Sequence, residues 1–209
     1  SVTEGHPDKL CDTIADAVLD ACLLGDPDSR VACEALATAG KITVAGEITT
    51  KVMPDIPHIV CKTVRQIGYS GNYEVEVDIH DQSPDIAGAV NGENEITAGD
   101  QGIVYGYACR ETPKLLPLPV VLAHRITKGL TEARRNGVIP CLRPDGKAQV
   151  FVEYEHRKPK RVHTVVVSSQ HEPGIRQQSL WDAVYQQILL PALGEFLDQD
   201  TEILINPSG

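Results

Sequence analysis

The spacing of apolar residues predicts a first series of helices and strands in the amino-terminal part of the chain. Apolar side chains recur every three to four positions in two segments, which is typical of helices with one buried face. Shorter apolar runs bounded by turn residues, and one segment of clean alternation, predict three strands. The helices are predicted over residues 7–24 and 55–68, and the strands over residues 30–38, 42–50 and 73–80.

The same order of elements recurs in the second half of the chain. The pattern predicts helices over residues 119–135 and 179–190, and strands over residues 147–154, 162–169 and 202–205. The second of these helices is expected to end at Pro191. An apolar sheet face must be buried against another element, and the predicted helices can cover it. The predicted fold class is therefore α+β, with repeated α-β-β-α-β domains that each pack helices on one face of a sheet.

The two series are separated by residues 81–102, which have no hydrophobic period and are rich in Gly, Asn, Pro and charged residues. A loop of this length is uncommon in a compact domain unless it has a function or moves. We therefore expect a gate loop over residues 82–98. The predicted domains are residues 1–96, which include the gate, and residues 97–209.

Composition and charge narrow the class of protein. The chain has 209 residues, of which 42% are hydrophobic, and 29 acidic against 19 basic residues give a formal net charge of −10. These values exclude a wholly disordered chain and argue against a surface built to bind nucleic acid or an anionic membrane. No apolar run approaches the ~18 residues of a membrane span. The six cysteines form no CxxC pair, so we interpret them as free thiols in a reducing, cytoplasmic setting.

A first candidate for chemistry is the segment EGHPDK at residues 4–9, directly before a predicted helix. A helix amino terminus adds exposed N–H groups and partial positive charge. His6 and Lys9 could hold a polyphosphate there, and Asp8 could bind a hard cation such as Mg²⁺ through oxygen. The alternative is a capped helix start with solvated charges.

Two carboxylates are candidates for a cation site. If the hairpin of residues 30–50 pairs positions whose numbers sum to 81, Glu34 lies directly across from Glu47. Like charges in that arrangement are destabilising, so a bound cation or a substrate ammonium group would relieve them. The alternative is two exposed carboxylates in different registers.

Other polar side chains lie in segments rich in glycine or proline. In residues 82–86 and 98–102, amides and carboxylates can approach a polar ligand, or they belong to an ordinary linker. In residues 143–149, Asp145 could accept from a ribose hydroxyl and Lys147 could meet a phosphate; the alternative is a turn that enters a strand. The chain has no Walker loop and no GxGxxG motif, so these are not the standard phosphate-binding loops.

In this order, six segments resemble the S-adenosylmethionine synthetase (methionine adenosyltransferase) family. They are SVTEGHPDK at residues 1–9, VACE at 31–34, AGEITT at 45–50, QSPDI at 82–86, AGDQG at 98–102 and RPDGKAQ at 143–149. The resemblance implies three similar α+β domains in a pseudo-threefold arrangement. This chain would hold the amino-terminal and central domains without the carboxy-terminal one, so we expect it to lack full activity alone.

The resemblance also implies the reaction. The sulfur of L-methionine attacks C5′ of ATP to give S-adenosylmethionine, and the expelled triphosphate is hydrolysed to pyrophosphate and phosphate. Such catalysis consists of positioning and of charge stabilisation of a polyanionic leaving group. The implied cofactors are Mg²⁺, two per site, and K⁺. The implied assembly is a homodimer with shared active sites that associates into a tetramer, with no nucleic acid or membrane partner.

Carried over residue by residue, the resemblance assigns roles to particular side chains. The implied catalytic residues are His6 and Lys147. ATP would be bound by His6, Asp145 and Lys147, methionine by Glu47, Gln82 and Asp100, Mg²⁺ by Asp8, and K⁺ by Glu34. The loop that begins at Gln82 would close over this site.

Two other functions stay open on the sequence. The chain could be a non-catalytic partner of an intact synthetase, and an intact mass above 22.7 kDa would argue against that role. It could also be a phosphohydrolase that acts on triphosphate alone, in which case methionine would not influence triphosphate cleavage.

Overall fold

The structure, a computed structural model, describes residues 1–83 and 102–208. These residues contain helices and two three-stranded sheets, which confirms the predicted α+β class. They form two compact units, one of Pro7–Tyr105 and the other of Ser1–His6 with Gly106–Gly209. Among the described helices, none combines the length and the apolar composition that a membrane span requires.

Part of the sequence interpretation falls on residues that the structure does not describe. The predicted gate of residues 82–98 lies outside the described residues, except for its first two positions. Asp100 and the predicted domain boundary between residues 96 and 97 lie outside them as well. The division into domains at this boundary therefore stays a prediction.

The unit of Pro7–Tyr105 has the predicted α-β-β-α-β order. Its strands form a sheet in the order β1-β2-β3, in which β1 and β2 are antiparallel and β2 and β3 are parallel. The elements are α1 (Pro7–Gly25), β1 (Arg30–Thr38), β2 (Lys41–Thr49), α2 (Ile56–Ile67) and β3 (Glu74–His80).

The core of this unit lies between the two helices and one face of the sheet. The apolar stripe of α1 buries Ile14 and Val18, and β2 contributes Ile42 and Val44 from the facing sheet. Both ends of α2 are capped, because Asp55 accepts a hydrogen bond from the His58 N–H at 3.1 Å and Gly68 ends the helix with a φ of 115°.

The β1–β2 hairpin has a shorter turn than the sequence suggested. Thr38 pairs with Lys41, so Ala39 and Gly40 alone form the turn, and paired positions sum to 79 instead of 81. Gly40 has a φ of 76°, a conformation that tight hairpin turns require and that glycine adopts without steric cost. The predicted register of this hairpin is therefore wrong by two positions.

The second unit repeats the order of elements and the sheet topology of the first. Its strands form a sheet in the order β4-β5-β6, with β4 and β5 antiparallel and β5 and β6 parallel. The elements are α3 (Leu118–Arg135), β4 (Leu142–Glu155), β5 (Lys158–His171), α4 (Gln177–Val184), a π-helical segment (Tyr185–Leu189), α5 (Leu190–Leu193), a 3-10 turn (Gly194–Phe196) and β6 (Glu202–Ile205).

The helical stretch after β5 does not end at Pro191 as predicted. It continues to Leu193, because the turn before the proline widens into a π-helix in which the Leu190 N–H donates to the Tyr185 carbonyl. A proline within an α-helix clashes with the carbonyl four residues earlier. The wider π turn changes the position of that carbonyl and so accommodates the ring.

Candidate functional site

The regular pairing of β4 with β5 is interrupted near the start of β4. The register shifts between Leu142 and Gly146, so the residues between them bulge out of the ladder. Asp145 is the last residue of this bulge, and Lys147 follows in the regular strand, opposite Ser168. The bulge thus brings two of the predicted site residues to one end of the sheet.

The first residues of the chain extend along β4 and reach the same bulge. The Thr3 N–H donates to the Gly146 carbonyl at 2.8 Å, and the Gly5 N–H donates to the Pro144 carbonyl at 3.2 Å. A Cβ at position 5 would overlap Pro144, so the close approach requires glycine. This pairing places His6 beside the bulge.

His6, Asp145 and Lys147 line one cavity of about 360 Å³. The sequence had placed them in two segments that are far apart in the chain, and the structure brings these three together. The cavity is completed by Gly146, Ser168, Ser169, Gln170, Asn206, Pro207 and Ser208. It therefore presents an imidazole, an ammonium group, a carboxylate and hydroxyl groups to a bound molecule.

The carboxyl group of Asp145 is set apart by its surroundings. Its partial burial raises the pKa of Asp145, while the charges of His6 and Lys147 and a hydrogen bond from the Gly146 N–H act in the opposite direction. The effect of burial is the larger one, so the pKa of Asp145 lies above the ordinary value of an aspartate. A carboxyl group perturbed in this way within a cavity is typical of a binding or catalytic site.

Asn206 closes one side of the cavity. The side chain of Asn206 accepts from the Ser169 N–H at 2.8 Å and donates to the Ser169 carbonyl at 2.9 Å. Its φ is 46°, in the left-handed region that asparagine tolerates better than most residues. The chain turns there and brings Pro207 and Ser208 to the cavity.

Sequence reasoning missed the contributions of β5 and of the segment after β6. Ser168 and Ser169 belong to an ordinary-looking strand, and no local signal distinguishes them. Asn206 directly follows a predicted strand, and an Asn-Pro dipeptide at a strand end is a turn signal that could have been used.

Glu34 and Glu47 both lie on the exposed face of the sheet in the unit of Pro7–Tyr105. Glu34 pairs with Ala45, and Glu47 pairs with Ala32 on one side and His80 on the other. The prediction that Glu34 and Glu47 lie directly opposite each other in the hairpin is therefore wrong. They are diagonal neighbours, a relation that spans about 7–8 Å between backbones.

Gln82 and Asp8 belong to the same unit as these carboxylates. The Gln82 N–H donates to the Thr49 hydroxyl at 3.3 Å, which places Gln82 at the end of β2 that carries Glu47. Asp8 is exposed in the first turn of α1. Within residues 1–83 and 102–208, no three His, Cys, Asp or Glu side chains are grouped as a metal site.

Family models match both parts of the chain. The model described as the S-adenosylmethionine synthetase central domain matches residues 95–209, and the model described as its N-terminal domain matches residues 1–91.

Curated relatives match the chain over its whole length. An S-adenosylmethionine synthase of Thermus thermophilus is 51% identical over 231 residues, covering 100% of this chain and 58% of the relative. Similar proteins occur in Desulfosudis oleivorans, at 49% identity with 100% and 57% covered, and in Clostridium tetani, at 45% identity with 100% and 59% covered. Each carries the same name, S-adenosylmethionine synthase. The chain thus spans less than two thirds of the length of the relatives it matches.

Proposed function

Because the chain belongs to the S-adenosylmethionine synthetase family, we propose that its protein transfers the adenosyl group of ATP to the sulfur of L-methionine. The products are S-adenosylmethionine and a triphosphate, which is then hydrolysed to pyrophosphate and phosphate. The observation that carries the proposal is that His6, Asp145 and Lys147 line a single cavity in a chain whose whole length resembles these synthases.

The nucleotide is proposed to bind in this cavity through its triphosphate and ribose. In the transfer step the methionine sulfur forms a bond to C5′ while the bond from C5′ to the triphosphate oxygen breaks, so negative charge develops on that oxygen. His6 and Lys147 would stabilise this charge as positioned cations or donors. Asp145 would accept a hydrogen bond from a ribose hydroxyl and orient C5′ for attack.

Methionine is proposed to bind through Glu47, Gln82 and Asp100. An ionised carboxylate at Glu47 would pair with the substrate ammonium group. The hydrogen bond from the Gln82 N–H to Thr49 supports this grouping, because Thr49 lies two positions beyond Glu47 on β2.

The proposed metal ligands are Asp8 for Mg²⁺ and Glu34 for K⁺. Their carboxylate oxygens are of the donor type that hard cations prefer, and both side chains are exposed. Mg²⁺ commonly binds through one or two carboxylates together with waters and substrate phosphates, so Asp8 as the one proposed protein ligand fits this chemistry. When bound, two Mg²⁺ ions would neutralise charge on the triphosphate oxygens.

The proposed assembly is a homodimer with shared active sites that associates into a tetramer in the cytoplasm. The outer face of the β1–β2–β3 sheet supports an interface in the unit of Pro7–Tyr105. Leu36 on that face is 70% exposed, and a partner chain on this face would cover it.

The test is an assay of the full-length protein that contains this chain, with ATP, L-methionine, Mg²⁺ and K⁺. We expect S-adenosylmethionine to form together with equal amounts of pyrophosphate and phosphate. A dimeric, folded preparation that forms no S-adenosylmethionine would contradict the proposal. Triphosphate cleavage that is independent of methionine would instead identify a phosphohydrolase.

A further inference from the structure

Glu4, two residues before His6, is held by two arginines from the last turn of α3. Arg134 Nη2 donates to Glu4 Oε1 at 2.5 Å. Arg135 contacts both carboxylate oxygens, with Nε to Oε1 at 2.8 Å and Nη2 to Oε2 at 2.5 Å. The side chains of Glu4 and Arg134 are only 23% and 15% exposed. A bidentate contact such as that of Arg135 fixes orientation as well as distance.

The charge state of Glu4 suits this arrangement. Burial raises the pKa of Glu4, but the hydrogen bonds and charges of Arg135 and Arg134 outweigh it, so the pKa lies below its ordinary value. The carboxylate is therefore ionised at neutral pH. Both arginines also lie at the carboxy terminus of α3, where cations interact favourably with the helix dipole.

The backbone around Glu4 transmits its position to the cavity. The residue before it donates its N–H to the Gly146 carbonyl, and the residue after it donates its N–H to the Pro144 carbonyl. The His6 N–H in turn donates to the Thr3 carbonyl at 3.2 Å. The Thr3 hydroxyl also donates to the Pro144 carbonyl at 2.7 Å, so Thr3 attaches this short segment to β4, whereas the Glu4 side chain attaches it to α3. His6 is the end of that segment.

We propose that Glu4 is a positioning residue, whose contacts with Arg134 and Arg135 hold His6 beside Asp145 and so set the affinity of the cavity for a polyphosphate. The ligand class rests on the proposed function. The position of His6 can be followed without any ligand, because the charge of His6 lowers the pKa of Asp145.

The first measurement is the affinity of the 209-residue chain for inorganic tripolyphosphate by calorimetry. Glu4→Gln removes the charge and replaces one acceptor by an amide donor that faces the guanidinium groups. We expect binding to weaken about tenfold, which corresponds to about 1.4 kcal/mol. The matched control is Glu153→Gln, which alters a carboxylate bonded to Arg161 at 3.0 Å in the same sheet. The control is expected to change the affinity less than twofold.

The second measurement is the titration of Asp145 by NMR in the absence of any phosphate. If Glu4 holds His6 in place, Glu4→Gln removes the effect of the His6 charge and raises the pKa of Asp145 further. Glu4→Asp keeps the charge on a shorter side chain. We therefore expect its Asp145 pKa and its tripolyphosphate affinity to lie between those of the unaltered chain and those of Glu4→Gln. A purely structural ion pair would change thermal stability without changing either value.

The outcomes separate this proposal from the proposed function. If Glu4→Gln lowers stability but leaves the Asp145 titration and the tripolyphosphate affinity unchanged, Glu4 has no positioning role. If the unaltered chain does not bind tripolyphosphate while Glu4→Gln still shifts Asp145, the positioning stands and the ligand assignment fails. If Glu4→Gln does not fold, Arg135→Gln, which leaves Arg134 as a partner, must show the same shifts at smaller size.

Discussion

The two units have the same order of elements and the same sheet topology, but they differ in how their hairpins pair. In the unit of Pro7–Tyr105, β1 and β2 pair without a shift from Arg30 to Thr38, and the sheet offers a continuous exposed face. In the other unit the register of β4 and β5 shifts near Gly146, and a cavity forms at the shift. The two units thus share a topology, but the cavity lined by His6, Asp145 and Lys147 lies where the ladder is interrupted, and the β1–β2 hairpin has no such interruption.

The largest expected effect comes from removing the charge of Lys147, beside the register shift between β4 and β5. Lys147→Ala in the full-length protein should lower kcat for S-adenosylmethionine formation at least about 100-fold, as loss of an electrostatic stabiliser typically does. Stability should change little, because Lys147 is exposed. The control is Lys128→Ala, an exposed lysine on α3 that pairs with Glu132. Equal losses for both variants would mean that the cavity is not the nucleotide site.

A second comparison uses one glycine from each unit. A Cβ at Gly5 would overlap Pro144, and a Cβ at Gly46 would overlap the Ala32 carbonyl, with the φ of Gly46 at 144°. Each substitution by alanine should therefore destabilise its unit by about 1–3 kcal/mol in urea denaturation.

The functional consequences of the two glycine variants should differ. Gly5→Ala displaces the segment that carries His6, so tripolyphosphate binding by the chain should fall. Gly46→Ala changes the other unit, so tripolyphosphate binding at temperatures where both variants are folded should persist. Loss of binding in Gly46→Ala alone would reverse the roles assigned to the two hairpins.

Asn206 tests whether the closing turn of the cavity needs a side chain or only backbone freedom. Asn206→Gly keeps access to the left-handed conformation but loses both hydrogen bonds to Ser169, at a cost of about 1–2 kcal/mol. Asn206→Ala loses the bonds and also strains the backbone, so it should be the less stable variant. Equal stabilities in urea would show that the left-handed turn at Asn206 contributes nothing.

The smallest effects concern two carboxyl groups whose pKa values shift in opposite directions. Burial raises the pKa of Asp145, so the stability it contributes is present at low pH and is lost as the pH rises through the raised pKa. Asp145→Asn should therefore stabilise the chain at pH 7, by less than about 1 kcal/mol after solvent screening.

Asp26, in the unit of Pro7–Tyr105, has the opposite sign. A hydrogen bond from the Lys51 N–H, at 3.0 Å, is the main cause of its lowered pKa. Its contribution is present above the ordinary aspartate pKa and is lost as the pH falls through the lowered one. Asp26→Asn should therefore destabilise the chain at pH 7 and progressively less on acidification. Denaturation of both variants between pH 3 and pH 7 checks the two signs; equal signs would contradict the assignment.

The periodicity of the sequence was sufficient for the elements and their order, because helices and strands bury one face and leave a local pattern. Local patterns were insufficient for the hairpin of β1 and β2, where Gly40 decides the turn length and hence the register. They were also insufficient for Pro191, since a π turn that accommodates a proline depends on packing. The contact of Thr3 with Gly146 joins distant parts of the chain and leaves no local signal.

The same reasoning applies to the candidate site. His6, Asp145 and Lys147 were candidates by their chemistry, and the family resemblance implied that they share the nucleotide site; the structure brings them to one cavity. Ser168 and Ser169 were missed, because their place beside the cavity follows from cross-strand pairing rather than from residue type. Roles for Glu47, Gln82 and Asp8 stay predictions.

The pairing of the first residues with β4 has a consequence for the order of events during synthesis. The hydroxyl of Thr3 bonds to the carbonyl of Pro144, a residue 141 positions later. At about 5–20 residues per second, a ribosome needs roughly 7–30 s to make the partner strand. All residues of the unit Pro7–Tyr105 have been synthesised before then, whereas the residues that line the cavity with His6 are synthesised later. Binding competence at this cavity is therefore acquired late, when the nascent chain already contains one finished unit.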